Sequence, residues 1–309
     1  MTLAAATMLL WASLPVALDI SLEVLDPFTL SWFRFLAAGI VLGTGLAVSG
    51  RLHRYARLSR RGWALLGVAA LGLTCNYVLY LVGLAHTSPG NIQVIIQLGP
   101  LFLALGAMAF YGERYTPLQW TGFVALVLGL GIFFRDQLAV LAGSIGTYAF
   151  GVFMIVLAAA TWACYALAQK QVLVELASPL IMLFIYVTAV MLLLPLATPS
   201  QLLQLDRIHG AAAAYCALNT LLAYSAFAEA LNHWQASRVG AVLALTPLGT
   251  LMVVAMLSRT WPAFVRPESM TVIGVAGAVM VVIGSMTTSL GSRRASTPPA
   301  GTAAEEPAS

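Results

Sequence analysis

Residues 62–112 read GWALLGVAALGLTCNYVLYLVGLAHTSPGNIQVIIQLGPLFLALGAMAFYG, and between Arg61 and Glu113 there is no Asp, Glu, Lys or Arg. About 50 residues at about 1.5 Å each make about 75 Å of helix, more than twice a hydrocarbon core of about 30 Å. Such a stretch has to cross, turn and cross again. His86-Thr87-Ser88-Pro89-Gly90-Asn91 supplies the turn, because Pro and Gly stop helices while Ser and Asn cap them.

The rest of the chain follows the same pattern. Of its 309 residues 61% are hydrophobic and 8% charged, with a mean hydropathy of +0.92. A soluble domain carries about 25% charged residues, so lipid rather than water must solvate most of this exterior. Apolar runs of spanning length fall near 3–20, 28–48, 62–84, 91–111, 117–134, 148–169, 179–197, 211–230, 237–257 and 269–289. Asp26-Pro27, Thr116-Pro117, Ser178-Pro179 and Thr198-Pro199-Ser200 punctuate them. The expected fold is therefore an all-α integral membrane protein with ten transmembrane helices. Met1 to Leu10 has no basic n-region, so the first run reads as a retained span rather than a signal peptide. Cys75, Cys164 and Cys216 lie inside apolar runs and are odd in number, which argues against a disulfide framework.

The basic residues sort to one side. Arg51, Arg54, Arg57, Arg60, Arg61, Arg114, Lys170, Arg238, Arg293 and Arg294 share it, against Arg135, Arg207, Arg259 and Arg266 opposite. The first loop on the opposite side is acidic, with Asp19, Glu23 and Asp26. By the positive-inside rule both termini are expected in the cytoplasm. The net charge of +4 then needs no nucleic acid to explain it. Residues 291–309 are rich in Pro, Ala, Ser and Thr and read as a disordered cytoplasmic tail.

The two halves resemble each other when residue 11 is laid on residue 162. Trp11 meets Trp162, and Leu-Asp-Pro at 25–27 lies within one residue of Ala-Ser-Pro at 177–179. Tyr77 then meets Tyr224, Leu84 meets Leu231 and Pro100 meets Pro247, and an insertion near Trp261 brings Gly122 onto Gly274. Each unit has five spans, so the second enters the membrane from the other side. The expected units are 1–136 and 147–290, a pair of inverted five-helix repeats of the kind recurrent in secondary transporters.

At this point the sequence resembles the EamA-type members of the drug/metabolite transporter superfamily. The resemblance is carried by Leu9-Leu10-Trp11-Ala12-Ser13, by Leu25-Asp26-Pro27 with Phe33-Arg34-Phe35-Leu36, by Gly99-Pro100-Leu101, and by Gly112-Glu113-Arg114-Tyr115-Thr116 with Gly122. It covers about residues 3–290. It implies ten helices in two inverted repeats, a central cavity, and often export of amino acids or other metabolites. In the second half Leu257-Ser258-Arg259 stands where the resemblance would place Gly-Glu-Arg, so Glu113 has no symmetric counterpart.

Polar groups inside the membrane are costly and mark candidate function. Gln93 with Gln97, and Asn76 with Tyr80, are each four apart and share a helix face, with Tyr77 alongside Asn76. They suit the wall of a neutral, hydrogen-bonding cavity, or amide bonding that holds the bundle together. Trp11, Trp162, Tyr165 and Tyr224 lie away from some or all of the expected interfaces, where an aromatic can stack on a ligand or simply pack. These nine residues are the candidate substrate-binding set. Arg34, about six residues into its span, either reaches the outer interface or binds a carboxylate. Glu113 and Arg114 read as terminators of the fourth span, and His86, His209 and His233 as surface residues at helix ends. Glu229, near the cytoplasmic end of the eighth run, is either an interfacial charge or a carboxylate at a cavity mouth that carries a coupling proton.

Three function classes compete. A membrane enzyme for lipid-linked substrates needs clustered Asp, His or Glu, and a channel needs repeated charged or carbonyl-rich segments; neither pattern is present. No Gly-Lys-Ser/Thr phosphate loop occurs. The expectation is a secondary transporter of the inner membrane rather than an enzyme. It would export small neutral, zwitterionic or aromatic metabolites, without cofactor or metal. Its partners would be a small-molecule solute and membrane lipid, not nucleic acid, with a homodimer allowed.

Overall fold

The computed structural model describes residues 2–140, 145–234, 236–268 and 270–290. The expected disordered tail, 291–309, lies outside them. Among the described residues every regular element is helical.

The helices are α1 (Thr2–Leu22), α2 (Pro27–Val48), α3 (Arg60–Ala85), α4 (Pro89–Ile95), α5 (Leu98–Tyr111), α6 (Pro117–Val140) and α7 (Ile145–Val172). They continue with α8 (Ser178–Leu193), α9 (Arg207–His233), α10 (Ala236–Leu243), α11 (Thr246–Thr260) and α12 (Val272–Leu290). Two short 3-10 helices, Arg51–Arg57 and Pro199–Gln204, lie in loops. Eight spans are long and apolar enough to cross a membrane: α1, α2, α3, α4 with α5, α6, α7, α10 with α11, and α12. The apolar α8 has 16 residues, and the 27-residue α9 carries Tyr215, Asn219 and Thr220 in its middle.

The punctuation read from sequence acts as caps. Asp26 Oδ1 accepts from the backbone N–H of Phe28 and Thr29 at 2.8 and 3.0 Å, with Pro27 opening α2. Such an N-cap is worth about 1 kcal/mol. Gly112, at φ +63°, closes α5, a left-handed cap that glycine adopts without strain.

The fourth apolar run is not one helix. Pro100 has no N–H for the carbonyl of Ile96, which accepts from Gly99 N instead at 2.8 Å, and a turn at 96–97 separates α4 from α5. Pro247 likewise leaves the Leu243 carbonyl to the hydroxyl of Thr246 at 2.5 Å, with a turn at 244–245 between α10 and α11. Proline removes one ladder bond and its ring crowds the preceding turn, so both runs break.

Packing pairs helices from the two halves. α6 lies along α12, α3 along α7, α1 along α9 and α2 along α8, with α5 on α7 and α11 on α1. Exchanging the halves maps this set onto itself. Glycines set the two closest crossings. A Cβ on Gly129 would stand 2.7 Å from Val281 N and one on Gly284 2.5 Å from Leu126 N; one on Gly72 would meet Thr161 O at 3.0 Å.

Loops are tied into two sets. Ser59 donates from N and Oγ to Glu175, Arg61 to Gln171, and Tyr55 to the Leu180 carbonyl. At the other end Asp26 N donates to Gln201, and His209 stands between Asp206 and Glu23 at 2.8 and 3.1 Å. His209 thus bridges α9 to the end of α1 rather than standing alone on the surface.

Candidate functional site

The middle of α1 is the point on which other helices converge. Pro15 lies inside α1 and cannot donate to the carbonyl four residues before it, that of Trp11. Gln93 Nε2, from α4, donates to that carbonyl at 2.9 Å. Its neighbours are taken too: Asn219 Nδ2 of α9 donates to Leu10 O at 2.7 Å, and Thr250 Oγ1 of α11 to Ala12 O at 2.7 Å. Ser13 Oγ and the Tyr215 hydroxyl share a 2.5 Å hydrogen bond. An unsatisfied carbonyl in hydrocarbon costs several kcal/mol, so these side chains fix where α4, α9 and α11 meet α1.

The two helix breaks face each other. Gln97, in the turn between α4 and α5, extends its Nε2 to the Ala244 carbonyl in the turn between α10 and α11, 3.4 Å away. Two residues beyond Gln97, a Cβ on Gly99 would stand 3.2 Å from the Trp162 ring. That absence of a side chain is what lets the indole of α7 lie against the broken span. Gln93 and Gln97 therefore serve different neighbours, because the helix face they were expected to share ends between them.

The other candidates divide. Asn76 Nδ2 donates to the Ala158 carbonyl at 2.8 Å, binding α3 to α7, and Tyr165 points its hydroxyl at Met182 Sδ of α8, 3.6 Å away. Both serve packing between helices here. Tyr77 is buried under Arg34, whose guanidinium carbon lies 4.6 Å from its ring centroid. Tyr80 is half-buried on the same helix, and Trp11 and Trp162 are also half-buried. Tyr224 lies on α9 with its side chain outside the described residues, as is that of Glu229. Two apolar grooves lie on the flanks, one between α6 and α7 beside Phe134 and Val152, the other among α2, α8 and α9 beside Leu42 and Leu218. Neither touches any of the candidates whose side chains are described.

Arg34 does not reach an interface. It is 4% exposed, stacks on Tyr77 and donates from Nε to Thr220 Oγ1 at 3.2 Å. A central arginine costs up to about 3 kcal/mol in a spanning helix, and a desolvated cation–π contact returns about 2 kcal/mol. Glu113 pairs with Lys170 of α7 at 2.5 Å on the exposed loop end. Among the described residues no three His, Cys, Asp or Glu side chains gather as a metal site.

A strap between α11 and α12, described over residues 261–268 and 270–271, closes over the start of α4. Glu268 accepts from Gly90 N at 2.7 Å and from Ser88 Oγ at 2.8 Å, and Thr271 donates to Asp136. Sequence reading missed this contact because Glu268 lies in the loop between Pro262 and the last span. Burial raises the Glu268 carboxyl above the usual range, opposed by the Gly90 and Ser88 bonds; Asp19, Arg266 and Tyr148 are the nearby ionisable groups. Docking therefore takes up protons. The strap seats most firmly below the ordinary carboxylate range and loosens as pH rises through the raised value. Hydrogen exchange of residues 261–268, corrected for intrinsic rates, is expected to be slower at acid than at alkaline pH, and level in Glu268→Gln. Equal protection at both pH values in the wild type would refute this coupling.

Comparison with known proteins bears on this arrangement. The model of the EamA-like transporter family matches residues 1–135 and 149–290. The uncharacterised inner membrane transporter YhbE of Escherichia coli (strain K12) is 38% identical over 292 residues, 94% of this chain and 91% of its own. An uncharacterised transporter of Haemophilus influenzae is 33% identical over 291 residues, 94% of each chain. A probable terminal-alkyne amino-acid exporter of Streptantibioticus cattleyicolor is 28% identical over 167 residues, 54% of this chain and 53% of its own. One solved crystal structure superposes with a TM-score of 0.62 at 17% identity, covering 94% of this chain and 96% of that one, which shows a shared fold.

Proposed function

Because this chain belongs to the EamA-like transporter family, we propose that it is an inner-membrane secondary transporter exporting small neutral, zwitterionic or aromatic metabolites, amino acids among them. The observation that carries the reading is the meeting of two broken helices, one from each half, at Gln97 and Ala244. Interrupted spans at matching places in the two halves commonly mark a transporter's binding site. Counting α8 and α9 as the seventh and eighth spans gives ten, in two five-helix units, 1–136 and 147–290. The packing set that survives exchange of the halves supports an inverted repeat. The sorting of basic residues supports cytoplasmic termini.

In this mechanism the two halves rock about the breaks. Gln97, Trp162, Trp11, Tyr77 and Tyr80 would line the path, while Gln93, Asn76 and Tyr165 hold its wall. The amino-acid reading draws support from the exporter in Streptantibioticus cattleyicolor. Membrane lipid would fill the flank grooves, and a homodimer is compatible with the exposed apolar faces. The competing readings are an integral membrane enzyme acting on lipid-linked substrates and a non-coupled channel; neither would give counterflow.

The test is counterflow into proteoliposomes with labelled amino acids, nucleosides and amines. Gln97→Ala and Trp162→Ala are each expected to lower the signal about tenfold or more, with folded yield preserved. A signal unmoved by both variants would put the binding site elsewhere, and silence across the panel would remove amino-acid export.

A further inference from the structure

We propose that Arg34 is the carboxylate-docking residue of the transport path, so that substrates carry one carboxylate that seats on its two Nη groups above the Tyr77 ring. This rests on the transport reading and names its substrate class. Arg34 is 4% exposed, and among the described residues no carboxylate lies within ion-pair distance of it. A guanidinium has five N–H donors. Among the described side chains one bond is made, from Nε to Thr220 Oγ1, and none accepts from the four Nη hydrogens.

A buried cation without a counter-ion is unstable unless something else neutralises it. Tyr77 supplies a π face on one side, which stabilises the charge without taking up any of the Nη hydrogen bonds. The Nη edge matches a planar carboxylate, which the guanidinium fork takes with two parallel hydrogen bonds. The charge balance also selects the ligand. One carboxylate neutralises Arg34, whereas a doubly charged phosphate would leave an uncompensated negative charge in the same place.

The position fits a path between the halves. Arg34 comes from α2 and its partner Thr220 from α9, one from each half. Tyr77 and Trp162 pack into the same apolar cluster, and Trp162 lies against Gly99 beside the helix break. A carboxylate on Arg34 would thus leave the apolar or aromatic remainder of the solute to extend toward Trp162 and Gln97.

The experiment uses the purified full chain at neutral pH and acid–amide pairs of one skeleton: L-phenylalanine with its amide, L-leucine with its amide, and benzoate with benzamide. Binding is read from ligand-induced thermal protection and tryptophan fluorescence. The wild type is expected to prefer each acid by about tenfold or more, since the acid adds a charge-assisted bidentate contact. In Arg34→Gln the ratio should fall toward one; in Arg34→Lys, a point charge without the fork, it should be intermediate. A wild type with no acid preference, or a preference that survives in Arg34→Gln, overturns the proposal, as does protection by none of the acids. If Arg34→Gln does not fold, an acid–amide ratio unchanged in Arg34→Lys is the overturning result. Counterflow in parallel vesicles separates the two claims. Transport of amides without acid preference removes the docking site and keeps the carrier. Acid-selective binding without counterflow of any solute removes the carrier and keeps the site.

Discussion

Replacing Gly284 by leucine is expected to abolish recovery of folded protein. At this point α12 crosses α6 with backbone against backbone: a Cβ on Gly284 would stand 2.5 Å from Leu126 N and 2.6 Å from Gly122 O. Neither atom belongs to a flexible side chain that could move aside. Gly122, Gly129 and Gly277 hold the same seam, with Cβ positions that would fall 2.7 or 2.8 Å from atoms of the facing helix. Overpacking a core ordinarily costs about 1–3 kcal/mol, but here the whole crossing must separate, losing contacts along both helices. In a membrane, helix association depends on such close approach, because lipid offers no hydrophobic drive to replace it. A loss above about 3 kcal/mol would remove much of a stability of about 5–15 kcal/mol.

The control lies on the facing helix. Gly131 of α6 has nothing within 4 Å of its Cβ position, so Gly131→Leu should fold normally and gain slightly from helix propensity, by less than about 1 kcal/mol. Size-exclusion profiles and melting temperatures in detergent separate the outcomes. Equal behaviour of the two variants would show that the α6–α12 crossing does not limit stability.

Much of the fold was legible because the forces behind it are local. A charge-free run of residues 62–112 can only be lipid-solvated helix with a turn, and Ser88-Pro89 starts the next helix as its chemistry requires. The breaks were half legible. Pro100 and Pro247 could be seen, but whether a proline bends or interrupts a span depends on who satisfies the freed carbonyls. For Leu243 that was the adjacent Thr246, and for Ala244 it was Gln97, 147 residues away. Trp11 poses the same problem: Pro15 announces an orphaned carbonyl, but only the packed structure shows Gln93 as its donor.

The site was less legible for a related reason. An amide inside a membrane reads alike from sequence whether it lines a path or ties two helices. Asn76 proves to face a backbone carbonyl of α7, whereas Gln97 sits at a helix break. Asn219, Thr220 and Thr250 were overlooked, although Asn219 and Thr220 stand together in the middle of an apolar helix, a signal that was available. Glu268 was beyond reach, since only the folded strap brings it onto Ser88 and Gly90, some 180 residues earlier in the chain.

Joining the strap to α4 is expected to stop transport altogether, because alternating access requires one end of the path to open when the other closes. The Glu268 side chain meets Ser88 Oγ at 2.8 Å. A cysteine is shorter than a glutamate, so a direct disulfide would strain the geometry it needs. The measurement is therefore Ser88→Cys with Glu268→Cys, in a chain whose Cys75, Cys164 and Cys216 are replaced by alanine, bridged by a short thiol-cleavable bifunctional reagent. Counterflow of a labelled amino acid into proteoliposomes is recorded before bridging, after it, and after reductive release. The account predicts flux lost on bridging, by at least about tenfold, and regained on release, while either single-cysteine chain is unaffected by the reagent. Full flux through the bridged protein would contradict it, since the path would then run without the opening that two rocking halves demand.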